Sequence, residues 1–212
     1  MSALRLTTRR TGARLALTFA AALAVAAPLA GCKKDPPASR AAQLAMNQLP
    51  TTKKESIVVG SSDFANNGTI PDRLSADAHG GSPQLTWSPV VDGKSYVVIV
   101  EDPDAPSPKP HVHWLAWNIP GDAVGLQPNQ PNAAQTGTGM RQGKNSAGTI
   151  GWSGPHPPAG PAHHYHVQVF ALDEPSIAVA PGADRDALVG ALKGHVVASG
   201  ELVGLFQTKT KT

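Results

Sequence analysis

The apolar residues of this chain fall into two kinds of run. The first is an uncharged stretch of thirteen residues, Leu15 to Ala27, behind a segment that carries Arg5, Arg9, Arg10 and Arg14. A bilayer-spanning helix needs about 20 apolar residues. Thirteen behind a basic segment therefore predict the hydrophobic part of an export signal, not a membrane span. From Ser56 on, the runs are short and rich in β-branched and aromatic residues: Ile57–Val59, Leu85–Trp87, Tyr96–Val100, Val112–Asn118 and Tyr165–Leu172, with a last run at Glu201–Gln207. Clusters of Gly, Pro, Asn and Asp separate them, the texture of strands joined by turns. Tyr96–Val100 has no polar alternation and predicts a strand buried on both faces. Helical spacing comes late, with Asp184 as an N-cap, Leu188, Val189 and Leu192 on one side, and Gly194 as a stop. The pattern predicts an all-β-dominated fold, an antiparallel β-sandwich with one or two peripheral C-terminal helices.

Charge and cysteine usage sharpen the picture of the first residues. The net charge of +3 comes from the four arginines of residues 1–31, which contain no acid; the remainder has 14 basic against 15 acidic side chains. So near-neutral a body lacks the basic footprint of a nucleic-acid binder. Leu29-Ala30-Gly31-Cys32 has the form of a bacterial lipobox, and Cys32 is the only thiol. A lone cysteine cannot close an internal disulfide, but it can carry a diacylglycerol and palmitate-type chains. Two or three such chains anchor firmly where one does not. We therefore expect a lipoprotein signal peptide over 1–31, a flexible tether over 32–55 and one domain over 56–212. The protein is expected to be exported and held to the cell envelope by lipid on Cys32. Thr8-Arg9-Arg10 is followed by Thr11-Gly12-Ala13, which fits general secretion better than twin-arginine export. Lys33 is unlike the aspartate that retains lipoproteins in an inner membrane, which points to an outer membrane where one exists.

Three clusters carry candidate chemistry: Asp102-Pro103-Asp104-Ala105-Pro106 after the buried strand, His111-Val112-His113-Trp114 entering the next, and Gly154-Pro155-His156-Pro157-Pro158 ahead of His163-His164-Tyr165-His166. Acids at the end of a buried strand sit at the rim of a sheet, and flanking prolines stiffen their loop. Residues i and i+2 of a strand share a face, which pairs His111 with His113 and His163 with Tyr165. If the segments converge, they form a pocket of acids, imidazoles and a phenol. Such a pocket suits a phosphate or carboxylate monoanion, held by a protonated His113 or His163, since a protonated imidazole donates from both nitrogens and a nearby aspartate favours that form. Taken singly, the same aspartates are ordinary turn formers, and the tryptophans ordinary core. Two other readings remain open, a metal-dependent hydrolase with His/Asp ligands and a metal-free hydrolase working by acid–base chemistry. No Gly-x-Ser-x-Gly elbow is present, so no catalytic residue and no metal ligand is assigned.

The order of these motifs resembles the phosphatidylethanolamine-binding protein family, in particular its bacterial, Raf-kinase-inhibitor-like branch. The likeness rests on Asp102-Pro103-Asp104-Ala105-Pro106, His113-Trp114-Leu115-Ala116-Trp117-Asn118-Ile119-Pro120, and Gly154-Pro155-x-Pro157-Pro158 ahead of His163-x-Tyr165, and runs from about Ser61 to Gln207. The resemblance implies a β-sandwich with a small anion-binding pocket. It implies ligand-binding roles for Asp102, Asp104, Pro106, His113, Pro155, Pro157, His163 and Tyr165, with phosphate or phosphoethanolamine as the ligand class, an inhibitor role as a variant, and no cofactor. The chain departs from the family in having His164 where an arginine is usual and His156 where bacterial relatives often carry cysteine.

Overall fold

The computed structural model describes residues 37–53 and 55–209. The expected signal peptide and Cys32 lie outside the described residues. Within them, ten strands build two sheets. The strands are β1 (Glu55–Ser56), β2 (Val59–Gly60), β3 (Gly68–Thr69), β4 (Leu85–Trp87), β5 (Ser95–Asp102), β6 (His111–Pro120), β7 (Gly125–Leu126), β8 (Arg141–Gln142), β9 (His163–Leu172) and β10 (Val196–Phe206). The large sheet runs β1-β10-β9-β5-β6-β8, with β3 also on β10; the small sheet runs β2-β4-β7. The long strands pair antiparallel, while β1 and β3 pair with β10 in parallel.

Strand β5 lies between β9 and β6, and all eight of its residues are buried. Its Tyr96, Val98 and Val100 face Trp114, Tyr165 and Val167 and pack against Leu85 and Trp87 of the small sheet. Its Val97 and Ile99 face the other way, into a second layer with Leu115, Trp117 and Phe170. Apolar cover on both faces is the reason the sequence of β5 shows no alternation. The outer layer is closed by α3 (Arg185–Leu192), through Leu188, Val189 and Leu192. Asp184 caps this helix by accepting from the Ala187 amide at 2.9 Å, and Gly194 follows it at φ +86°, a conformation that glycine adopts without strain.

The helical cover differs from the expectation in one respect. Two short helices, α1 (Pro37–Ala41) and α2 (Ala45–Gln48), lie in the segment expected to be tether. From Arg40 to Leu49 that segment is docked: Arg40, Leu44, Ala45 and Leu49 are buried, and Ala45 and Leu49 join the outer layer. The physical reason is a buried polar cluster that the segment completes. The Ala45 amide donates to Glu101 Oε2 at 2.8 Å, and the Met46 amide to Gln168 Oε1 at 2.7 Å. Gln168 Nε2 and Arg185 Nε also donate to Glu101, and Arg185 reaches the Gln43 carbonyl. A carboxylate fully removed from water is tolerated only when its lone pairs are met in this way.

Candidate functional site

Asp102 closes β5 and points to the inner face, opposite to its neighbour Glu101. Its Oδ1 accepts from the amides of Asp104 at 2.7 Å and Ala105 at 3.1 Å, which folds the following loop back on itself. Its Oδ2 lies 2.8 Å from His163 Nδ1 at the start of β9. Both oxygens of this carboxylate are thus in use, and His163 is held with Nε2 turned away from the pair. The next acid does a different job. Asp104 Oδ2 accepts from the amide and Nδ1 of His164, at 2.9 and 2.7 Å, and so stitches the loop to β9. Burial acts to raise the Asp104 carboxyl, but the hydrogen bonds from His164 outweigh it and hold it below its ordinary value.

Strand β6 carries an extra residue here. Val100 pairs with Trp114 and Glu101 with Val112, so His113 is the inserted residue of a β-bulge. The bulge re-aims the side chain, and both His113 and Trp114 face inward. The rings of His111 and His113 lie 4.9 Å apart, and Tyr165 meets His113 edge-on at the same distance. His113 Nδ1 lies 2.7 Å from the Ser153 carbonyl, and the Ser153 amide donates back to the His113 carbonyl at 2.9 Å. A carbonyl only accepts, so Nδ1 carries the hydrogen. The loop after Ser153 is fixed from behind: the Ala76 amide donates to the Pro155 carbonyl, and a Cβ on Gly154 would come within 2.5 Å of the backbone of residues 74–76.

These segments enclose a cavity of about 460 Å³. Asp102, Pro106, His113, Pro157, His163 and Tyr165 of the expected site all line it. Asp104 and Pro155 do not. Asp104 is turned onto His164, and Pro155 is buried behind the wall with its carbonyl on Ala76. His111, Ser153, Gly154 and His156 join the wall, as do Ala76 and Ala147. His111 was legible from its i, i+2 relation to His113. Ala76 and Ala147 carry no sequence signal, because loop closure alone brings them in.

The electrostatics correct one further expectation. Burial pushes His113 down to about 4, against the opposing pull of the Ser153 carbonyl. Burial thus favours the neutral imidazole at His113 near neutral pH, where the sequence had suggested a protonated one. Burial likewise lowers His111, with Asp102 opposing. Burial, and then the charges of Asp102 and Asp104, push the Tyr165 phenol up, so it keeps its proton. Among the described residues, no lysine or arginine lines it. Among the described residues, the one group of three possible metal-ligand side chains with donor atoms within 4.8 Å of one another is Asp173, Glu174 and His195, away from this cavity.

Residues 60–207 match the family model described as phosphatidylethanolamine-binding protein. The chain belongs to that family. It is 41% identical over 145 residues to the UPF0098 protein of Methanothermobacter thermautotrophicus, a match covering 68% of this chain and 94% of that one. It is 38% identical over 133 residues to the UPF0098 protein YbcL of Escherichia coli, covering 60% and 72%. Among solved structures, Escherichia coli YbcL, described as a new member of the mammalian family, superposes with a TM-score of 0.66 at 30% identity, covering 73% of this chain and all of that one. A phosphatidylethanolamine-binding protein homologue of Chlamydia trachomatis gives 0.65 at 30% identity, covering 73% and 99%. The span shared with the phosphatidylethanolamine-binding protein family contains the whole cavity wall. The docked segment from Arg40 to Leu49 falls outside it.

Proposed function

We propose that this protein is an exported, lipid-anchored binding module whose cavity takes a small phosphate- or carboxylate-bearing ligand, with phosphoethanolamine as the type. Acylated Cys32 is its contact with the membrane, the outer one where the cell has two. The observation that carries this reading is the convergence of His163, His113 and Tyr165 on one cavity, each with a polar atom that no protein group among the described residues occupies. His163 offers Nε2, oriented by Asp102, and Tyr165 offers a protonated hydroxyl, two groups suited to ligand oxygens. The Gly154 amide, also on the wall, donates to no protein group among the described residues and adds a neutral donor. The alanines and prolines of the wall suit an apolar body on the ligand.

A hydrolase reading has less support. The hydroxyls on the wall belong to Ser107, Ser153 and Tyr165, and Ser107 donates to the Lys109 carbonyl instead of to an imidazole. No histidine on the wall holds a hydroxyl as a nucleophile needs. The test is calorimetric titration of the full chain, in detergent at pH 5, where both probes keep an acid hydroxyl, with phosphate and with phosphoethanolamine. Binding is expected, and it should weaken about tenfold to a hundredfold in His163→Ala and in Tyr165→Phe. Absence of binding, or affinity equal to wild type in both variants, overturns the reading.

A further inference from the structure

His113 is the wall residue whose hydrogen-bonding role is fixed from both sides. Its Nδ1 donates to the Ser153 carbonyl at 2.7 Å, and the return bond from the Ser153 amide keeps the two segments together. The tautomer is therefore set by a backbone group that cannot change role. What remains is Nε2. It has no partner among the described residues and is not a buried polar atom sealed away without one, so it opens on the cavity. In the Nδ1–H tautomer Nε2 is a bare lone pair, an acceptor with nothing to accept from. The groups that face it from the neighbouring elements do not change this. Burial disfavours the charged forms of His111 on the same strand and of Tyr165 on β9, His163 is engaged with Asp102 from β5, and His156 on the loop is paired with Asp77 at 3.0 Å.

We infer that His113 selects the protonation state of the ligand: the cavity takes an oxyacid that still carries an acid hydroxyl, which donates to Nε2, and rejects one that is fully ionised. This rests on the phosphate-binding reading above. The physical ground is an asymmetry. An acid hydroxyl placed on Nε2 makes a hydrogen bond, whereas an ionised oxygen there sets lone pair against lone pair in a site whose wall, among the described residues, has no lysine or arginine to compensate. A phosphomonoester loses its last acid proton near pH 6. Inorganic phosphate keeps one hydroxyl well above that, whereas sulfate is fully ionised in acid and neutral solution alike. The ligand class is accordingly a monoprotonated phosphoryl group, and the discriminating residue is His113.

The test uses the full chain with three probes, inorganic phosphate, methyl phosphate and sulfate, titrated at pH 5 and pH 8. Methyl phosphate has no second donor that could substitute for the acid hydroxyl. Its affinity relative to inorganic phosphate should fall about tenfold to a hundredfold between the two pH values. Taking that ratio cancels any titration of the protein's own groups that acts on both ligands alike. Sulfate should bind at least tenfold more weakly than phosphate at both. Nitrogen-15 spectra of histidine-labelled protein should show His113 as the Nδ1–H tautomer from pH 5 to pH 8. A methyl phosphate to phosphate ratio that does not move with pH, sulfate binding equal to phosphate, or an Nε2–H tautomer or imidazolium at His113 overturns the inference while leaving phosphate binding intact. Failure of inorganic phosphate to bind at either pH overturns the phosphate-binding reading, and the inference with it.

Discussion

The bulge at His113 shows how a single inserted residue decides what the site can do. Without it, Trp114 and His113 would alternate across the sheet; with it, both face inward, the indole into the core and the imidazole onto the cavity. The motifs made the three histidine- and acid-bearing segments legible, and strand parity paired His111 with His113. The bulge was not legible, because it depends on the register between β5 and β6. Nor was the neutrality of His113, which burial imposes. That neutrality has a thermodynamic signature. A histidine at about 4 when folded and near 6.5 when unfolded binds its proton first in the unfolded chain. The contribution is fully present above pH 6.5 and is lost as pH falls toward 4, by roughly 3 kcal/mol in all. Urea unfolding of wild type and His113→Gln at pH 7.5, 5.5 and 4.5 reads it directly. The stability gap between the two should shrink as pH falls, and a gap that stays constant would show that His113 is not buried neutral.

At the scale of elements, the buried run of β5, the late helix and the strands of the large sheet followed from apolar spacing and capping residues. The two-residue β1 and β3 did not, since they exist only as parallel additions to β10. The segment from Arg40 to Leu49 was the larger departure. Its composition is that of a linker, and its hold on the domain includes backbone amides meeting Glu101 and Gln168, which no pattern of side chains announces. Leu49 separates the two pictures. It is 2% exposed and packs in the outer layer. Leu49→Ala should cost about 2–4 kcal/mol of stability, measured by chemical denaturation, where a free linker would tolerate the change without effect.

At the scale of the whole molecule, a central strand covered on both sides places two acids, adjacent in sequence, in separate environments. Glu101 anchors the docked segment on one face, and Asp102 organises the cavity on the other. The anchoring half of the proposal is tested on the intact cell. Cys32→Ser should release the protein into the soluble exported fraction or leave its precursor uncleaved, and a processed mutant that still sediments with membranes would show that Cys32 is not the anchor.

The docked segment also sets a length. Arg40 donates to the Pro103 carbonyl at 2.7 Å, in the loop that carries the cavity-lining Ala105 and Pro106. Arg40 stands eight positions after Cys32 and lies within α1, so even with the residues before the helix drawn out fully the reach is at most about 22 Å. With the proposed lipid on Cys32, the covalent chain would keep the edge of the cavity within about one bilayer thickness of the acylated residue, close enough to meet head-groups borne on that membrane as well as free ligands.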